Sequence, residues 1–78
     1  MFVNTRKGHS LGSRIRDARE ASGLSQQALA VRVGVSLRTV QWWERDDREP
    51  QLASVRKIAL ATGQSVSHFV DDSEEKAA

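Results

Sequence analysis

Two short segments with helical apolar spacing, Gln26 to about Val33 and Leu37 to about Arg45, are separated only by Gly34-Val35-Ser36. A joint this tight leaves the chain one route. Gly34 supplies the positive φ that reverses it steeply. Val35 plugs the corner with an apolar side chain, and Ser36 caps the helix that follows. The same punctuation runs along the rest of the chain. Ser10 caps a first helix carrying Leu11, Ile15 and Ala18 at helical spacing, and Gly23 closes it. Ser25 caps the second, with Leu29, Ala30 and Val33 on its inner face, and the third turns Val40 and Trp43 inward. After the polar loop Asp46-Asp47-Arg48-Glu49-Pro50, a fourth helix buries Leu52, Val55, Ile58 and Ala59 and stops at Gly63. Ser65 caps a final short turn ending at Phe69 and Val70. No segment alternates apolar and polar residues between Gly/Asn turns, so a sheet is not expected. The pattern predicts a compact all-α domain of five short helices over residues 10–70. A polar arm over 1–9, basic at Arg6, Lys7 and His9, precedes it, and an acidic tail over 71–78 follows; both read as solvated ends.

Composition narrows the function. Seventy-eight residues suffice for one small domain. No apolar stretch approaches the roughly 18 residues of a membrane span. With no cysteine and only His9 and His68, far apart, neither a disulfide framework nor a metal site is expected, and nothing points to a cofactor or small-molecule ligand. Met1-Phe2-Val3-Asn4 lacks the apolar core of a secretory signal, so a cytoplasmic protein is expected. Residues 1–70 carry eleven Lys/Arg against six Asp/Glu, whereas the tail carries one Lys against four acids. A basic body with an acidic tail suits a polyanionic partner such as nucleic acid.

Two helices joined by so tight a turn form a helix-turn-helix, whose second helix enters the DNA major groove. Further anchors lie at matching spacing: Ile15-Arg16, Arg19, Gly23-Leu24-Ser25-Gln26, Leu29-Ala30, Gly34-Val35-Ser36, Val40, Trp43-Glu44-Arg45, Pro50, Lys57-Ile58-Ala59, Gly63, Val66 and Phe69-Val70. With these the chain resembles the Cro and lambda-repressor type of helix-turn-helix, often called Xre-like, over about residues 11–70. The resemblance implies a five-helix DNA-binding domain and a sequence-specific transcriptional repressor of bacteria or their phages, usually dimeric.

Because Val40 and Trp43 face the core, the opposite face of the third helix holds Leu37, Arg38, Gln41 and Trp42. The family positions that touch bases match Leu37, Arg38 and Trp42, with Gln41 beside them. Arg38 can bond guanine O6 and N7, Gln41 adenine N6 and N7, and Leu37 a thymine methyl. Trp42 either packs against thymine methyls or deoxyribose, folds back over the loop after the third helix, or meets a protein. Phosphate contacts are expected from Gln26, whose family counterpart makes one, and from Ser36, Thr39, Arg45 and Arg48. Their ordinary roles compete: capping for Ser25 and Ser36, surface pairing with Asp46, Asp47 or Glu49 for the two arginines.

The resemblance also implies a partly buried ion pair between Arg19 and Glu44. No nucleophile, second carboxylate or histidine accompanies it, so an enzyme is not expected. Three departures from the family pattern affect local geometry: Asp46 where glycine is common, Ala28 where an acid often completes a capping box, and Gln51 in place of a serine cap. Dimer contacts are expected from Val66, Phe69 and Val70, on a roughly palindromic double-stranded operator. The rival class is an adaptor or antitoxin that keeps the fold and acts through a protein partner.

Overall fold

Serine side chains set the helix starts. The structure, a computed structural model, describes residues 10–70; the basic arm 1–9 and the acidic tail 71–78 lie outside the described residues. Helix α1 spans Leu11–Ala21, α2 Gln26–Val33, α3 Leu37–Glu44 and α4 Leu52–Thr62. The hydroxyls of Ser10, Ser25 and Ser36 accept from the backbone N–H groups of Ser13, Ala28 and Thr39, at 3.1, 3.0 and 3.1 Å. Each bond satisfies one of the donors a helix leaves free at its first turn. Gln51 stands at the start of α4 and makes no such bond. Gly34, at φ +86°, lets the chain leave α2 in the left-handed conformation and enter α3 within three residues.

Among the described residues there are four α-helices and no strand, one helix fewer than the sequence reading. The expected fifth helix is a single 3-10 turn, Val66–His68. Its Ser65 hydroxyl bonds to the Ser67 hydroxyl instead of capping. The turn closes through His68 N–H to Ser65 O and Phe69 N–H to Val66 O, and Phe69 then drops into the core.

Each helix contributes one large, wholly buried aliphatic side chain to the centre: Ile15, Leu29, Val40 and Ile58. Ala18, Ala30, Val33, Trp43, Val55, Ala59 and Phe69 complete the cluster. Leu52 departs from the expected stripe and is 53% exposed. It is the first residue of α4, where a side chain tilts back past the helix end and away from the packed turns. No helix among the described residues is long and apolar enough to cross a membrane.

The start of α1 abuts the end of α3. A Cβ on Gly12 would stand 2.5 Å from the Trp43 carbonyl oxygen and 2.7 Å from that of Glu44. Asp46 closes the same junction: its carboxylate accepts from Gly12 N–H and from the Ser10 hydroxyl, both at 2.8 Å. Asp46 does this from a left-handed backbone, φ +61°, the only non-glycine residue with positive φ among those described. An aspartate tolerates that conformation better than most residues, and here its side chain caps a distant helix, which glycine cannot do.

Two outcomes follow from this junction. Gly12→Ala should lower stability by about 1–3 kcal/mol through overpacking, read as a fall in Tm of about 4 °C or more per kcal/mol. Asp46→Ala should be less stable than Asp46→Gly by about 1 kcal/mol, because both lose the cap but only alanine keeps the left-handed strain. Urea denaturation of the two variants measures the difference.

Candidate nucleic-acid interface

Helix α3 is only eight residues long, too short to persist on its own. Its inner face holds it: Val40 is wholly buried and Trp43 nearly so. Its far end is fixed by charge. Arg19, on α1, reaches Glu44 with Nε 2.5 Å from Oε2 and Nη2 3.1 Å from Oε1. Both residues are 8% exposed. Arg19 also donates from Nη1 to the Leu24 carbonyl at 2.9 Å, tying the loop between α1 and α2 to the same point. The hydrogen bond to Glu44 holds the Arg19 guanidinium above its usual pKa, overcoming the opposing effect of burial, with attraction from Glu44 and Glu20 adding to it.

Glu44 has a third partner. Gln26, the first residue of α2, donates from Nε2 to Glu44 Oε1 at 3.0 Å. Gln41 in turn donates from Nε2 to Gln26 Oε1 at 3.4 Å. The chain Arg19, Glu44, Gln26, Gln41 leads from a buried ion pair to the outer side of α3. Among the described residues, no buried side-chain polar atom lacks a hydrogen-bond partner.

On that outer side Leu37 and Arg38 are exposed, and Gln41 and Trp42 half-buried. The Arg48 guanidinium lies over the Trp42 indole, 3.9 Å from the ring centroid, while Arg38 stands 6.0 Å from it. Asp47 N–H and Arg48 N–H both bond to the Trp42 carbonyl, at 2.9 and 3.4 Å, so the loop wraps the end of α3. Arg48 forms no ion pair among the described residues, whereas Arg45 meets Asp47 at 3.2 Å with both side chains exposed. Ser36 and Thr39 share a hydroxyl bond of 3.0 Å at the start of α3. Gln26 has one side-chain N–H beyond its bond to Glu44, and its backbone N–H sits at a helix start where an anion is favoured.

The residues named for a dimer contact divide. Phe69 is 2% exposed and belongs to the core, whereas Val66 and Val70 are half-buried. Trp42 meets the loop after α3, one of the placements that the sequence reading left open, through the Arg48 stack. The Gln26 to Glu44 bond spans 18 residues and escaped the sequence, because nothing in local spacing announces it. No cluster of three or more His, Cys, Asp or Glu among the described residues is placed to hold a metal ion.

Comparison with known proteins agrees with this geometry. A family model described as helix-turn-helix matches residues 15–69. The cryptic phage CTXphi transcriptional repressor RstR of Vibrio cholerae is 36% identical over 62 residues, covering 80% of this chain and 56% of that protein. An uncharacterized transcriptional regulator in the ATPase CF(0) region of Rhodospirillum rubrum is 34% identical over 64 residues, covering 82% and 59%. The chain therefore spans less than two thirds of either relative. Among solved structures, the DNA-binding domain of the P22 c2 repressor superposes with a TM-score of 0.74 at 31% identity, covering 81% of this chain and 84% of that one. A SinR protein/SinI protein complex gives 0.74 at 27% identity, covering 85% of this chain and 65% of the matched one.

The ion pair can be tested directly. Glu44→Ala should cost about 3–5 kcal/mol, because it leaves a buried arginine with only Glu20, 3.8 Å away on an exposed side chain, as a counter-charge. Replacing both partners, Arg19→Met with Glu44→Leu, should recover most of that loss. Chemical denaturation of the single and double variants reads both results.

Proposed function

The chain belongs to the helix-turn-helix family of the Xre and lambda-repressor type, and from that premise we propose that it is a transcriptional regulator that binds duplex DNA through α3. The observation that carries the reading is the division of α3. Val40, Trp43 and Glu44 hold the helix to the body, and Leu37, Arg38, Gln41 and Trp42 on the other side remain available to base edges. Arg38 has five donors in a planar fork and suits guanine O6 and N7. Leu37 offers only apolar contact and suits a thymine methyl. Trp42, stiffened by Arg48, presents a flat apolar edge to sugar or methyl groups.

Phosphate contacts come from the starts of α2 and α3, at Gln26, Ser36 and Thr39, and from Arg45 and Arg48 beside the groove. These residues position the protein and carry no sequence information. The protein acts as a homodimer on a roughly palindromic operator, with two recognition helices about 34 Å apart. Val66 and Val70 contribute to the contact between copies. Repression follows from occupying promoter DNA. The repressor named among its relatives supports this reading, as does the likeness to a phage repressor's DNA-binding domain. The setting is the cytoplasm of a bacterial host.

Selection from a random duplex pool tests the proposal. The full chain should enrich a palindromic consensus with half-sites about one helical turn apart, bound with steeply falling affinity as salt rises. Arg38→Ala should relax the preference at one base pair per half-site by about 1–3 kcal/mol and leave Tm unchanged. Enrichment of no sequence would overturn the reading.

A further inference from the structure

An open groove of about 380 Å³ is lined by Arg32 of α2 and by Lys57, Leu60 and Ala61 of α4. Arg32 stands in the last turn of α2, about 9 Å along the helix from Gln26. The groove therefore sits at the opposite end of α2 from the start that meets Glu44. Leu60 is 84% exposed, more than any other large apolar side chain described. The rim is positive without relief. Neither α2 nor α4 carries an acid, and the six acids of residues 10–70 lie on α1, at the end of α3 or in the loop after it. Ion pairs among the described residues join Arg19 to Glu20 and Glu44, and Arg45 to Asp47, so Arg32 and Lys57 meet no carboxylate there. An apolar floor between two such cations fits an acidic segment of chain.

We propose that this groove is the docking surface for the chain's own acidic segment, residues 71–78. Asp71, Asp72, Glu74 and Glu75, against the single Lys76, set a net negative charge opposite the basic rim. The methylenes of Glu74 and Glu75 and the methyls of Ala77 and Ala78 suit the apolar floor at Leu60 and Ala61. The segment also starts close by. It follows Val70, nine residues after Ala61, and the turn Val66–His68 before it packs against α4. Eight residues reach at most about 26–29 Å, and the two shorter dimensions of the body are 24 and 21 Å. A tether this short holds the acids at a millimolar effective concentration. Exposed ion pairs too weak to hold a separate molecule then suffice within one chain. A second copy seated groove to groove is disfavoured, because Arg32 and Lys57 would meet their own counterparts. Docking of this kind needs no DNA.

The chain has no cysteine, so Ala78→Cys gives the full-length protein a single site for a nitroxide spin label. In its NMR spectrum the amide signals of Arg32, Lys57, Leu60 and Ala61 should be lost to broadening, while those of Asp46 and Asp47, beyond the far end of α3, are retained. Raising salt from about 0.1 M to about 1 M cuts the screening length from about 10 to about 3 Å and should restore the groove signals. So should Arg32→Glu combined with Lys57→Glu, both at exposed positions that leave the core untouched. Adding Asp71→Lys, Asp72→Lys, Glu74→Lys and Glu75→Lys to that protein should bring the broadening back, which a mere loss of structure could not do. Even broadening over the whole surface would overturn the proposal. Broadening centred on Arg38 and Trp42 would do so too, by placing the acids against the outer side of α3. The proposal also fails if the groove signals stay broadened in the Arg32→Glu, Lys57→Glu protein. Broadening that appears only between spin-labelled and unlabelled copies mixed in one sample would make the occupant a second copy and overturn docking within the chain.

Discussion

The bond between Arg19 and Glu44 is the point on which the site depends. A carboxylate in the last turn of a helix sits against the negative end of the helix dipole, an unfavourable place unless a cation meets it. Arg19 supplies that cation from the last turn of α1, where a positive charge is favourable. The pair thus satisfies two helix ends with one contact. Replacing a buried ion pair by packed apolar groups would leave stability little changed. The contact's distinct contribution is direction. It fastens the end of α3 to α1 and gives the Gln26 amide a buried acceptor.

The other end of the same junction works by close approach. Gly12 brings the α1 backbone against the last carbonyls of α3, and Asp46 bonds across the gap to Gly12 and Ser10. The opposite end of α3 is capped by Ser36. With both ends held and Val40 and Trp43 buried, an eight-residue helix that would fray in isolation becomes a rigid reading edge.

Much of this frame was legible in the sequence because serine and glycine act locally. A Ser before an apolar stripe and a Gly after it mark a helix through bonds made within a few residues, and Ser10, Ser25, Ser36, Gly34 and Gly63 were read correctly on that basis. Where the local rule met competition, the reading failed. Ser65 had a second hydroxyl two residues away and bonded to it, leaving a 3-10 turn in place of a helix. Leu52 had the right spacing but the wrong end of the helix, beyond the reach of the core. Asp46 could be recognised as a left-handed position, yet its bonds to Gly12 and Ser10 span more than thirty residues and have no signature in spacing. The same holds for the candidate site. The inner and outer sides of α3 follow from its period, whereas the contacts that orient Gln41 and Trp42 come from α2 and from the loop after α3.

That difference has a consequence for how such a helix can change. The side chains that hold α3 in place, Val40, Trp43 and Glu44, share one face, and those on the other side carry little of the fold. Leu37 and Arg38 make no contact that the core requires. The loop grips Trp42 through its backbone carbonyl, a bond that any residue at that position preserves, and only the Arg48 stack depends on the indole. Gln41 is tied to the body by a single long hydrogen bond. New side chains at these four positions would therefore alter what the helix meets and leave how it is held intact.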